Sequence, residues 1–492
     1  MRLHLKGNIN RLYVQSLCMM FFRGEKFPEN EENPRAELFV ELVEKENNLF
    51  CSAELKLESR TEKHELFESV CNIEPYDRLC KTAVGKAVLA VLNKATGYMP
   101  PWGLLTGIRP SVVAAELIYM LGEEKAVTEL IDRYMLTPQK ANLAVTVAKN
   151  EQKILQSYDE TTCSIYISVP FCPTRCSYCS FISYATKKLF LLIPEYVDRI
   201  IEEIKEAFKL ISTLNLRLAS VYIGGGTPTT LNAEQLDRIL STVTNCLCGA
   251  KLDEFTVESG RPDTISEEKL QVIKKYGVDR ISINPQTLND DALKSIGRRH
   301  TVSDFYGAYK TAVNVGFDVI NTDLIAGLDS DNLQSFKNTI DEIVKLSPQN
   351  VTVHAFSVKK SAQALADDRE IYNREDLYAT KSVDYAYDAL TSNGYVPYYM
   401  YRQKNTVADL ENVGYARSDA FGIYNTLMMG DGHTVFGIGA GATTKLIKNV
   451  NGKKEILRIF SPKYPYEYLQ DKQSQSDKIL SFLKGGKDNE KD

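Results

Sequence analysis

From residue 162 to about 395 the chain repeats one pattern, a short apolar run followed by an amphipathic stretch. The runs are SIYISVP, SVYIGGG, EFTVES, DRISINPQ, DVINTDLIAG and NVTVHAF. Between them lie stretches of helical periodicity, among them EYVDRIIEEIKEAFKLI, AEQLDRILSTVTNCL and LQSFKNTIDEIVKL. Asn232 followed by Gln235 gives the second of these a capping-box start. Neighbouring parallel strands need a crossover connection, so repeated β-then-α units dictate a parallel sheet. Six units make an open or partial barrel, short of the closed eightfold form. Chemistry in such α/β folds collects at the carboxyl ends of the strands.

The flanks are patterned differently, and 492 residues exceed one ordinary hydrophobic core. Residues 1 to about 85 read as short strands, in RLYVQSL, ELFVELV and NLFCSAELKLES. From about 85 to 155 the pattern is helical, broken by the loop YMPPWGLLTGIRPS with the only tryptophan, Trp102. That loop reads either as a functional segment or as a rigid connector. After about 395 the text becomes aromatic and glycine-rich, in YVPYYMYRQKNT and VFGIGAGATTK, and ends in a charged tail. The expected division is an α+β N-terminal domain over 1–160, the α/β barrel over 161–395 and a small C-terminal region over 396–492.

Composition excludes several function classes. A net charge of −5 gives no basic field to attract nucleic acid. No apolar run reaches the roughly 18 residues that span a bilayer, and MRLHLKGNINRLYVQSLCMMFF lacks the apolar core and cleavage site of a secretory signal. The expectation is a cytoplasmic protein without a membrane span. Its ten cysteines are scattered except in one place, which is no disulfide framework. Cys18, Cys51, Cys71 and Cys80 read as small buried hydrophobes or neutral surface positions.

The exception is SVPFCPTRCSYCSF, directly after the first strand of the repeat. It holds Cys172, Cys176 and Cys179 within eight residues. Thiolates bind soft metals, which leaves zinc and iron–sulfur clusters as candidates. Structural zinc takes four closed ligands, and this stretch has neither a second CxxC pair nor a nearby histidine. Cys163 lies at the opposite end of its strand, and Cys246 and Cys248 read as a helix end. A cubane held by three cysteines keeps one iron open to a small molecule. One unit later the strand ends in Gly224-Gly225-Gly226-Thr227-Pro228, glycines that admit close backbone approach. Glu258, Gln286 and Asp323 stand at further strand ends, with Arg298 twelve residues after Gln286. Polar groups set in apolar strands are costly unless paired or used.

The CxxxCxxC spacing resembles the radical SAM superfamily. The motif order PFCxxxCxYC, GGGTP, strand-end Glu, RxSxxxQ, GRRH and NxDLIxGL is similar to its oxygen-independent coproporphyrinogen III oxidase family, over roughly residues 162–445. The resemblance implies a partial (β/α)6 radical SAM barrel with an α+β N-terminal domain and a small C-terminal extension. It implies a [4Fe–4S] cluster on Cys172, Cys176 and Cys179, with its open iron holding S-adenosylmethionine (SAM). It assigns SAM contacts to Tyr166, Tyr178, Gly225, Gly226, Thr227, Glu258, Gln286, Arg298, Asp323 and Thr443. In the family's oxidases two SAM molecules lie together, and a 5′-deoxyadenosyl radical starts the decarboxylation of two propionates to vinyls. The implied partners are a porphyrinogen substrate and an electron donor such as flavodoxin or ferredoxin.

Two positions depart from the oxidase pattern. Ser168 stands where the oxidases read histidine in HIPFC, and Phe181 replaces a fourth cysteine. The rival expectation is a haem-binding chaperone, because close relatives of the oxidases carry haem. Those relatives have HNxxYW before GIGAGA, whose histidine suits iron; here the aligned residues run Tyr424 to Met429, without that histidine. His354, Lys359, Lys360, Arg402 and Lys404 read either as propionate contacts or as ordinary core and surface groups, the ordinary reading being preferred for the first three.

Overall fold

In the computed structural model the described residues are 1–22, 25–29, 34–70, 75–328, 330–357, 377–403, 406, 409–417, 419–430, 432–471 and 473–484. They fall into two compact units. One holds those of Met1–Ala148, Asp368–Leu377 and Tyr401–Glu411, the other those of Lys149–Asp367, Tyr378–Met400 and Asn412–Asp492.

The first unit contains a four-stranded sheet of β1 (Arg2–Lys6), β2 (Ala36–Lys45), β3 (Asn48–Leu57) and β4 (Arg60–Ser69), paired in that order. Strict alternation in β2 and β3 turns Leu38, Val40, Leu42, Leu49, Cys51, Ala53 and Leu55 to one buried face. The helix Tyr76–Thr96 packs on that sheet and stops at Gly97, whose φ of 73° suits glycine. The segment RLYVQSL, expected as a strand, is instead the start of the helix Arg11–Phe21. Asn10 caps it by accepting from the Tyr13 amide, and Tyr13, Val14, Leu17 and Cys18 recur at helical spacing on the buried face. Within a seven-residue window that spacing is easily mistaken for alternation. Cys18, Cys51 and Cys80 are buried, the first of the two environments expected for them, and Cys71 lies outside the described residues.

The six expected barrel strands all form: β5 (Thr162–Val169), β6 (Arg217–Gly225), β7 (Glu254–Glu258), β8 (Arg280–Ser282), β9 (Val319–Ala326) and β10 (Asn350–Ala355). Each is parallel to the next. The remaining strands are β11 (Val396–Arg402), β12 (Glu411–Ala416), β13 (Thr434–Ile438), β14 (Thr443–Val450) and β15 (Lys453–Phe460). The eleven-stranded order is β11-β12-β10-β9-β8-β7-β6-β5-β13-β14-β15. The barrel is therefore open: β5 pairs with β13, not with β10. β13 runs parallel to β5 and sets Gly437 opposite Tyr166. Crossover helices cover the sheet, as their apolar stripes require. Ile193–Thr213 buries Tyr196, Val197, Ile200, Ile204 and Ile211. Ala233–Leu247 begins in the expected Asn232–Gln235 capping box and ends at Cys248 with a φ of 50°. No helix among the described residues is long and apolar enough to cross a membrane.

Candidate functional site

The cysteine loop leaves the carboxyl end of β5 and is anchored by backbone. The Cys172 amide donates to Tyr184 O at 3.0 Å, Tyr184 N to Pro170 O at 2.8 Å, and Ser177 N to Ile296 O at 3.1 Å. Phe171, fully buried, meets the edge of the Tyr196 ring at 5.1 Å. Cys172 and Cys176 are buried and Cys179 is half-buried. Cys172 Sγ lies 3.3 Å from Thr227 Oγ1, and Arg261 Nη1 donates to Cys176 Sγ at 3.6 Å.

The glycine-rich end of β6 is sewn onto this loop. Gly226 N donates to Val169 O and Thr227 N to Phe171 O, each at 2.8 Å. A Cβ on Gly226 would lie 2.7 Å from Phe171 O and 2.9 Å from Val169 O, so only glycine allows the approach. Gly225 has a φ of 106°, the left-handed region that side chains avoid.

The rim residues follow in strand order. Glu258 ends β7 and accepts a short hydrogen bond from Tyr222 Oη. Tyr222, Tyr166 and Tyr424 stack, with Tyr222 and Tyr424 centroids 4.5 Å apart and Tyr166 6.1 Å from each. Burial pushes the Glu258 carboxyl up to about 7, and nearby Asp323 adds to that. Gln286 has a φ of 69° and bridges to β9, its amide donating to Asp323 O at 3.0 Å. Asp323 accepts from Asn284 and Asn321, each at 2.8 Å, with His354 Nε2 at 3.8 Å. Burial opposes its charge, yet the nearby His354, the bond from Asn321 and the adjacent Thr352 hold its carboxyl below the usual range. Arg298 donates to Gly260 O at 2.9 Å, Asn284 O at 3.2 Å and Tyr178 Oη at 3.5 Å. Its buried Nε has no partner among the described residues.

One chain of contacts thus joins the cysteine loop, Gly225, Gly226, Thr227, Tyr166, Tyr178, Glu258, Gln286, Arg298 and Asp323. Thr443 stands apart, at the start of β14; its backbone packs on Gly437, opposite Tyr166. Ser168 donates to Ala440 O at 2.9 Å, while Phe181 is 69% exposed. Arg402 is committed elsewhere, to Leu105 O and Asp409 O. Lys359, Lys360 and Lys404 lie outside the described residues. Trp102 is buried and donates to Glu411 at 2.7 Å.

The residues present fit a sulfur-held cluster. Three cysteines share one loop, a cation donates to one sulfur, and a glycine cradle and an unpartnered guanidinium N–H face the same strand ends. Among the described residues no three His, Cys, Asp or Glu side chains gather around a single ion. A cubane does not ask for that, since it spreads its thiolates over separate irons.

The fold and this site define a radical SAM protein: the model of the radical SAM superfamily matches residues 166–343. Oxygen-independent coproporphyrinogen-III oxidase-like protein HemZ of Bacillus subtilis (strain 168) is 33% identical over 482 residues, 96% of this chain and 95% of that protein. The chain therefore belongs to the family of oxygen-independent coproporphyrinogen-III oxidase-like proteins. Heme chaperone HemW of Lactococcus lactis is 31% identical over 283 residues, 57% of this chain and 69% of that one. The solved coproporphyrinogen III oxidase HemN of Escherichia coli superposes with a TM-score of 0.50 at 21% identity, covering 67% of this chain and 72% of that one. Proteins of this superfamily use a [4Fe–4S] cluster and SAM, and these are the cofactors the fold implies.

Sequence reasoning passed over Tyr222, Asn284 and Arg261, all within hydrogen-bond reach of the residues above. Arg261 had a signal: an arginine three residues past Glu258, just before Pro262, at the strand end where ligands gather.

Proposed function

We propose that this protein carries out the oxygen-independent oxidative decarboxylation of coproporphyrinogen III to protoporphyrinogen IX. Cys172, Cys176 and Cys179 would hold the cluster. Tyr166, Tyr178, Gly225, Gly226, Thr227, Glu258, Gln286, Arg298 and Asp323 would hold SAM, with Thr443 at its outer edge. The bound cofactors supply abstraction of a hydrogen atom from carbon. Each propionate then gives up one hydrogen atom, one electron and carbon dioxide, and becomes a vinyl. A low-potential donor such as flavodoxin or ferredoxin would reduce the cluster, and a one-electron acceptor would take the electron from substrate.

The choice between oxidation and haem carriage is carried by Tyr424. It stands where the haem-carrying relatives have their histidine, and it is 5% exposed and stacked on Tyr222. Burial also holds its hydroxyl well above the usual phenol range, which disfavours the phenolate that binds iron. A buried, protonated phenol is a poor axial ligand, so the oxidase reading is preferred.

Anaerobic reconstitution tests it: cluster, SAM, reductant and coproporphyrinogen III are combined, and 5′-deoxyadenosine and protoporphyrinogen IX are measured. Both products rising together is the expected result. SAM cleavage indifferent to porphyrinogen, with no vinyl product, rejects it.

A further inference from the structure

Arg261 is 3% exposed, and its side chain turns from the end of β7 back onto the cysteine loop. Nη1 donates to Thr174 O at 3.1 Å and to Cys176 Sγ at 3.6 Å, and Nη2 donates to Thr174 Oγ1 at 2.7 Å. Nε and Nη2 reach the Asp263 carboxylate at 3.2 and 3.5 Å. A guanidinium has five N–H donors in a rigid fork, and these contacts give each one a partner. Thr174 Oγ1 in turn donates to Gly297 O at 3.1 Å, so the fork closes a three-way joint between β7's end, the cysteine loop and the 296–297 turn.

Two consequences follow from this geometry. The fork fixes the backbone two residues before Cys176, which sets where that sulfur points. It also aims a buried cationic N–H at the sulfur itself. A hydrogen bond from a cation stabilises whichever state of a thiolate-held cluster carries more negative charge, and that is the reduced state. We propose that Arg261 is the positioning residue for Cys176 and raises the reduction potential of the cluster by donating to its sulfur. This rests on the reading of Cys172, Cys176 and Cys179 as cluster ligands. Lysine keeps the charge but cannot span Thr174 and Cys176 together, so the two contributions separate by substitution.

The full-length chain and its Arg261→Lys, Arg261→Gln and Cys176→Ser variants are reconstituted anaerobically without SAM or substrate. Bound iron and sulfide are counted, and the midpoint potential is followed by electron paramagnetic resonance during titration with a low-potential reductant. Arg261→Gln is expected to load less cluster and to reduce only at a more negative potential. Arg261→Lys should load less as well, with a smaller shift; it also serves as the measurement if the Gln variant does not fold. Wild-type loading and midpoint in both arginine variants, with Cys176→Ser losing the cluster, overturns the role of Arg261 alone. A full cluster in Cys176→Ser overturns the ligand reading, and this inference with it.

Discussion

Tyr222 Oη donates to Oε1 of Glu258 where β6 and β7 end side by side, and this bond joins the glycine-rich loop to the polar rim. Burial nonetheless raises the Glu258 carboxyl to about 7. Its folded-state pKa therefore lies above the unfolded value, and the native protein holds a proton that the unfolded chain releases. The stability linked to that proton is present below about 4.5 and is lost as pH rises through about 7. The loss is at most about 3 kcal/mol, reduced by whatever water reaches the half-buried side chain. Glu258→Gln, which does not titrate, should resist urea better than the wild type at pH 8 in ligand-free protein, the difference shrinking at pH 5. A difference that stays constant across that range would show the carboxyl to be ordinary.

The three glycines of the loop differ in what a methyl group would strike. At Gly226 the added Cβ meets backbone atoms of Phe171 and Val169 within 3 Å, and backbone on two sides cannot retreat. At Gly224 the first obstacle is Glu258 Oε2 at 2.8 Å, the end of a side chain that can swing away. Gly226→Ala should therefore lose cluster loading and about 1–3 kcal/mol of stability. Gly224→Ala should keep the cluster and weaken SAM binding by displacing the carboxylate. Iron content and SAM titration on the two variants decide it; equal iron loss would refute the distinction.

Much of the barrel was legible because its signals are local. A buried parallel strand is an apolar run, its crossover helix shows a 3.6-residue period, and the Asn232–Gln235 box announces itself within four residues. Glu258 ends its strand as the same rule expects, whereas Gln286 lies past the end of β8 and Asp323 sits inside β9. Long-range pairing was hidden. β13 joins the edge of β5 across more than two hundred residues of chain, and no window contains both partners. Tyr222 escaped for that reason: it reads as an ordinary aromatic until the sheet and the helix Ile423–Met429 bring it against Tyr424. Arg261 escaped because an arginine after a strand looks solvated until its fork is seen to be filled.

Tyr424 gives a test of the haem alternative that needs no turnover. The buried ring packs against both Tyr166 and Tyr222, so Tyr424→Ala should cost about 3–5 kcal/mol by leaving a cavity. Tyr424→Phe keeps the stack and should melt close to wild type. Haem titrated into wild type and Tyr424→Phe should give matching absorbance changes. A Soret band present in the wild type and lost in the Phe variant would make Tyr424 an iron ligand and reverse the preference for oxidation.

In the first unit the buried Lys140–Glu411 pair offers a double-variant cycle. Lys140 Nζ donates to Oε1 of Glu411 at 2.7 Å and Trp102 Nε1 to Oε2 at 2.7 Å, with both charged side chains at most 1% exposed. Burial opposes the charge on Glu411, and Lys140 with Trp102 brings its carboxyl below the usual range. Removing one partner strands the other charge, so Lys140→Met should cost about 3–5 kcal/mol. Adding Glu411→Gln removes the stranded charge while keeping an acceptor for the Trp102 indole. The double variant should then recover at least half of that loss in urea unfolding, because the interaction between paired sites is not additive. Additive losses would mean that water reaches the pair and that its charges were never isolated.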